Sequence, residues 1–200
     1  MVTALVGLAV LFNWSQVARG AELVANKLVL YYHVAGLYTK EPDRRLAMPL
    51  LEIEKTGIAD TWHAPRGNNR LHEGQDIFAA QGTAIYSATA GYVSKIGENN
   101  LGGQTVSVIG AGGRTYYYAH LDSYAPHLQE GDLVTTRTVL GYVGTTGNAA
   151  GTPPHLHFGI YGPSGSAINP FPLLVDRPKP KPPETKPTAL KQKGRDRARR

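Results

Sequence analysis

Residues 91–121 read GYVSKIGENN LGGQTVSVIG AGGRTYYYAH L. Three short runs, Gly91–Ile96, Thr105–Ile109 and Thr115–Ala119, are rich in β-branched and aromatic residues, and glycines cut each one off. That is the texture of strands joined by tight turns rather than of helices. Moving outward, the same texture holds from Pro49 onward and predicts further strands at Ile77–Ala79, Ala84–Ala88, Val139–Val143 and Leu156–Tyr161. Pro170 to Leu174 reads as the last packed segment.

The phrases Thr89-Ala90-Gly91-Tyr92-Val93 and Gly131-Asp132-Leu133-Val134, the latter followed by Gly141-Tyr142-Val143-Gly144, repeat a Gly-x-Val rhythm. Glycine permits the tight corners of a small, curled sheet, and the phrases resemble those of barrel-sandwich domains. The carrier-lysine function of such domains is not implied, because Lys95 lacks the hairpin setting that a carrier lysine needs. The fold expected is therefore mainly β: a curled antiparallel sheet over residues 49–175.

Composition agrees. The chain has 200 residues, 42% hydrophobic and 18% charged, enough to bury a core, so a wholly disordered or fibrous protein is excluded. There is no cysteine, which rules out disulfides, thiolate metal sites and a cysteine nucleophile and leaves histidine and carboxylate as metal ligands. The formal net charge of +6 is unevenly spread. Residues 176–200 hold ten Lys or Arg and three Asp or Glu, a net of +7, so the rest of the chain stands at −1. A basic nucleic-acid-binding groove in the folded part is thus unsupported. The tail, with five prolines among its basic residues, cannot bury enough apolar surface to order itself and is expected to be disordered. Its partner would be an anionic envelope surface, unless it is only a solvated end.

Ahead of the β region, residues 1–20 form an apolar segment with no charge before Arg19. It reads as a membrane anchor or a signal segment, with Ala18 and Gly20 spaced as a cleavage site would need, or as a buried N-terminal helix. Residues 21–48 are a connector. Leu28 to Tyr38 within it is too short to span a bilayer and is expected to form a helix that packs on the domain or lies near a membrane surface.

Four of the seven histidines sit in contexts suited to metal chemistry. In His72-Glu73-Gly74-Gln75-Asp76 a straight strand would hold the two ligand types about 13 Å apart, so a shared ion requires a bend, which Gly74 can supply. In Pro153-Pro154-His155-Leu156-His157-Phe158 the period of two puts both histidines on one strand face, about 7 Å apart along the backbone, with Leu156 and Phe158 on the other. His120 closes the run Tyr116-Tyr117-Tyr118-Ala119, at a strand end where a side chain can reach a cleft. His33, His63 and His127 have no partner at ligand spacing and read as packing or surface residues. His63 and Arg66 are close enough ahead of His72 to border a groove.

Together these blocks are specific. Arg70-Leu71-His72-Glu73-Gly74-Gln75-Asp76-Ile77, Gly82-Thr83-Ala84-Ile85-Tyr86-Ser87-Ala88, Tyr118-Ala119-His120-Leu121 and His155-Leu156-His157-Phe158 occur in the order of the lysostaphin/LytM-type zinc metallopeptidases, which the chain resembles from about Pro65 to Phe171. The resemblance implies one Zn²⁺ held by His72, Asp76 and His157, with His120 and His155 as an unligated catalytic pair. Spacing alone does not choose His157 over His155 as the ligand. Two departures stand out: Gln75 where an apolar residue is usual, and Gly159 where an acidic residue is frequent.

Two imidazoles and a carboxylate leave a fourth position for water, the composition of a catalytic zinc site. The resemblance implies an endopeptidase of bacterial peptidoglycan crosslinks acting in the cell envelope, membrane-anchored, periplasmic or secreted. His155 is assigned as general base and His120 as oxyanion stabiliser or proton shuttle, and the two roles are exchangeable at this stage. The competing reading is a catalytically silent envelope-binding module or an activator of another wall hydrolase.

Overall fold

The computed structural model describes residues 16–17, 21, 28–67 and 69–178. Residues 28–38 form helix α1, whose inward positions Leu30, Val34 and Leu37 recur at helical spacing. It packs on the domain: His33 stacks on Tyr92 at 5.7 Å between ring centroids, and Tyr38 lies against Gly113.

Eleven strands follow: β1 (Leu46–Ala47), β2 (Gln75–Phe78), β3 (Ala84–Tyr86), β4 (Gly91–Asn99), β5 (Gly103–Gly110), β6 (Thr115–Tyr124), β7 (Leu133–Val134), β8 (Val139–Val143), β9 (His155–Tyr161), β10 (Ala167–Ile168) and β11 (Leu174–Val175). Nine of them form one sheet with the path β10-β9-β6-β5-β4-β7. Off that path β2 lies on β9, β8 on β6 and β3 on β8, while β1 and β11 pair separately and in parallel. All seven strands expected from the sequence are present. The large sheet is antiparallel throughout, and β3, β4, β5, β6 and β8 carry register shifts that bend it.

The alternation on β9 divides the molecule into core and cleft. Leu156, Phe158 and Ile160 are fully buried and meet Tyr116, Tyr118, Ile77, Val106 and Val108 in the core, each such side chain contributing about 1.5–3 kcal/mol on burial. His155 and His157 point the other way. The same division puts Tyr116 and Tyr118 in the core and leaves Tyr117 half-buried on the cleft side.

The packed domain extends beyond the expected 49–175 at both ends. Leu46 and Met48 are fully buried, because the parallel β1–β11 pair brings the chain ahead of Pro49 into the core. Past residue 175, the Asp176 carboxylate accepts a hydrogen bond from the Lys55 N–H at 2.6 Å, and the Arg177 guanidinium donates to the carbonyls of Met48, Ser87 and Thr136. Nearly all of the apolar segment 1–20 and of the tail 176–200 lies outside the described residues. No helix among the described residues is long and apolar enough to cross a membrane.

Candidate metal centre and catalytic cleft

Register builds the site. On the antiparallel β2–β9 pair Asp76 stands opposite His157 and Phe78 opposite His155, and on β6–β9 Ala119 stands opposite His157. Asp76 Oδ1 is therefore 3.0 Å from His157 Nδ1. His72 arrives from outside the sheet because the chain bends at Gly74 before entering β2. His72 Nε2 lies 3.0 Å from Asp76 Oδ1 and 2.8 Å from His157 Nδ1. Among the described residues, these three form the one group of histidine and carboxylate atoms gathered closely enough to hold a metal ion. The structure thus brings His157, and not His155, to His72 and Asp76.

Backbone carbonyls orient each ring. His72 Nδ1–H donates to the Thr61 carbonyl at 2.7 Å, which leaves a lone pair at Nε2. His120 Nδ1–H donates to the Thr146 carbonyl and His155 Nδ1–H to that of Pro153, each at 2.9 Å. Both of these Nε2 atoms are left with lone pairs, and the two rings stand edge to face with centroids 5.0 Å apart. His120 reaches the cleft from a bulge on β6 and has a left-handed φ of +65°, a strained conformation for a residue other than glycine and one that re-aims its side chain. Thr146 is itself fixed, its hydroxyl accepting from Gln104 N–H and donating to the Leu121 carbonyl.

The electrostatics follow from burial and contact. Burial pushes the Asp76 carboxyl up, but its contacts with His157 and His72 outweigh this and hold it well below the usual carboxylate range. Arg66 pairs with the outer oxygen, Oδ2, of the same carboxylate. Burial lowers His157. It also holds His120 down at about 4, against the Thr146 hydrogen bond that favours the charged ring.

Gln75, the first departure seen in the sequence, supports the centre from beneath. Fully buried, its amide donates to the carbonyls of Ala59 and Asp76 and accepts from Thr61 N–H. The Thr61 hydroxyl in turn accepts from Asp76 N–H at 2.9 Å. Thr61, Thr146 and Arg66 are thus part of the site. Only Arg66 had a signal in the sequence, since any residue supplies a backbone carbonyl. The remaining histidines stay outside the cluster: His33 is on Tyr92, His63 stacks on Trp62 at 4.4 Å, and His127 is exposed. A cleft of about 650 Å³ includes all five site residues in its lining, together with Arg66, but not His63.

The sequence profile of Peptidase family M23 matches residues 70–170, which contain all five of these positions. The chain belongs to peptidase family M23. The L-Ala–D-Glu endopeptidase of Bacillus subtilis is 36% identical over 138 residues, covering 64% of this chain and 42% of the relative. The DD-carboxypeptidase/endopeptidase Mpg of Neisseria meningitidis is 33% identical over 121 residues, 60% of this chain and 25% of the relative. The M23 chain thus spans less than half the length of these curated relatives. Among solved structures, the catalytic domain of lysostaphin from Staphylococcus simulans superposes with a TM-score of 0.51 at 32% identity, over 57% of this chain and 87% of that one. A putative glycyl-glycine endopeptidase LytM from Ruminococcus gnavus gives a TM-score of 0.53 at 30% identity, over 70% and 64%.

Proposed function

We propose that this M23 chain is a zinc-dependent endopeptidase that hydrolyses peptide crosslinks of bacterial peptidoglycan. The observation that carries the reading is the convergence of His72 Nε2, Asp76 Oδ1 and His157 Nδ1 in a cleft that two further histidines face. Since His72 has given its Nδ1–H to Thr61, His72 Nε2 and Asp76 Oδ1 meet as acceptors, and only a proton, such as one on His157 Nδ1, or a cation between them holds them together. The donor set of two imidazoles and one carboxylate fits Zn²⁺ and leaves a position open. When bound, such an ion supplies Lewis acidity and lowers the pKa of water towards neutrality.

The chain's own residues would do the rest. Arg66 holds Oδ2 of Asp76 and so keeps Oδ1 turned inward, while Thr61 fixes the His72 ring. With its Nδ1–H held by Pro153, His155 presents a basic Nε2 to take the proton of the attacking water. His120 is held in the same way by Thr146 and carries a proton towards the departing amine. The names of the relatives, both endopeptidases, support a peptide substrate, and a further relative, from Vibrio cholerae, is named a peptidoglycan DD-endopeptidase.

An envelope location goes with that substrate. The apolar segment 1–20 would place the chain there by anchoring or export, and the +7 tail would hold it near anionic wall polymers or lipid head groups. The direct test is chelator-sensitive release of new amino groups from peptidoglycan sacculi by the purified chain. A silent binding module would sediment with sacculi and release none.

A further inference from the structure

One charged side chain at the cleft has no part in this scheme. Arg66 and Arg70 face each other across a hairpin closed by the Pro65–Leu71 bridge, with Arg66 N–H donating to the Arg70 carbonyl at 2.8 Å. Both side chains line the cleft. The Arg66 guanidinium is neutralised by Asp76. That of Arg70 is exposed and makes no hydrogen bond or ion pair with any described residue.

The lining of the cleft holds no free counter-charge for Arg70, since the exposed Glu73 is not part of it. Asp76 is the one carboxylate in its lining, and it is already shared by His72, His157 and Arg66. Beside Arg70 stands Tyr161, kept as a neutral phenol chiefly by burial and next by the charge of Glu73, and close enough to feel that of Arg70 as well. A guanidinium fork next to a phenolic O–H is a donor set matched to a carboxylate. Arg70 also has no protein partner to give up when a carboxylate arrives.

We propose that Arg70, with Tyr161 beside it, selects peptides that carry a free carboxylate next to the bond that is cut. This rests on the cleft being an endopeptidase site, and it narrows the substrate class to acidic peptides. Neutral or amidated peptides would leave the Arg70 guanidinium to water.

The test uses two forms of L-Ala-γ-D-Glu-L-Lys-D-Ala, one with the α-carboxyl of D-Glu free and one with it converted to a carboxamide. Each is titrated calorimetrically into the full chain carrying His155→Ala, and each is offered to the wild-type chain for hydrolysis. The free acid should bind about tenfold tighter, the scale of one charge-assisted pair at an exposed site, and the gap should shrink with added salt. Arg70→Gln should bring the ratio of the two Kd values, and of the two kcat/KM values, close to one, while Arg70→Lys keeps part of it. Equal Kd values in the parent chain, or a preference that survives Arg70→Gln, would overturn the proposal. A binding preference that Arg70→Gln abolishes, with no product from either peptide and no amino groups released from sacculi by the wild-type chain, would uphold carboxylate recognition and overturn the endopeptidase reading instead.

Discussion

Gly74 and the His157 ring occupy one space: a Cβ on residue 74 would stand 2.7 Å from Nε2 of the imidazole and closer still to Cε1. The Cε1–Nε2 edge of the ring, which adjoins Nδ1, therefore packs directly on the glycine. Glycine at this position both bends the chain so that His72 can reach Asp76 and makes room for His157. Gly74→Ala should push the ring off its Nδ1 contact with Asp76 and weaken zinc binding about tenfold or more, while the circular dichroism of the β-sheet is kept. Undiminished zinc affinity in this variant would show that the ring swings aside freely.

Gln75 is expected to act on the metal through Thr61. Gln75→Leu removes the acceptor for Thr61 N–H and the donor for Ala59 O, so the segment that clamps His72 loosens. Zinc affinity should fall about tenfold, and the His72 ring nitrogens should change their NMR shifts as the Nδ1–H bond to Thr61 weakens. If Gln75→Leu lowers only the melting temperature and leaves both readouts alone, the residue is a packing element and nothing more.

His120 and His155 separate chemistry from ligation. Neither belongs to the converging trio, and each has its Nδ1–H tied to the backbone. His120→Ala and His155→Ala should each retain the ion and lose turnover by about 10² or more, the scale of a lost proton-transfer group. A His120→Ala chain with near-normal kcat would reduce that residue to a rim histidine in a strained bulge.

Much of this was legible in the sequence, for reasons that can be named. Alternation on Leu156–Tyr161 sets His155 and His157 apart from Leu156 and Phe158, because a period of two is a property of the strand itself. The bend at Gly74 could be inferred because two ligands four residues apart in a straight strand cannot share an ion. The two-residue strands Leu46–Ala47, Leu133–Val134, Ala167–Ile168 and Leu174–Val175 could not be read. They are too short to show a period and exist only through their partners. The carbonyls of Thr61, Thr146 and Pro153, which set the three imidazoles, leave no trace in residue identity. Nor does the bulge that turns His120 into the cleft, since it arises from the register of β6 against β5. Gln75 was visible as an oddity, yet its reason appears only once residues 59–61 lie under the centre.

Under the proposed function, hydrolysis depends on an ion that His72, Asp76 and His157 hold. The measurement that addresses this dependence most directly is amino-group release from peptidoglycan sacculi by the purified full chain, followed through chelation and readdition of zinc, with metal content determined at each stage and His157→Ala run alongside. About one zinc per active chain is expected, with loss of activity on chelation, recovery when zinc returns, and neither zinc nor activity in His157→Ala. A metal-free chain, or a His157→Ala chain, that releases amino groups at the full rate would contradict that dependence.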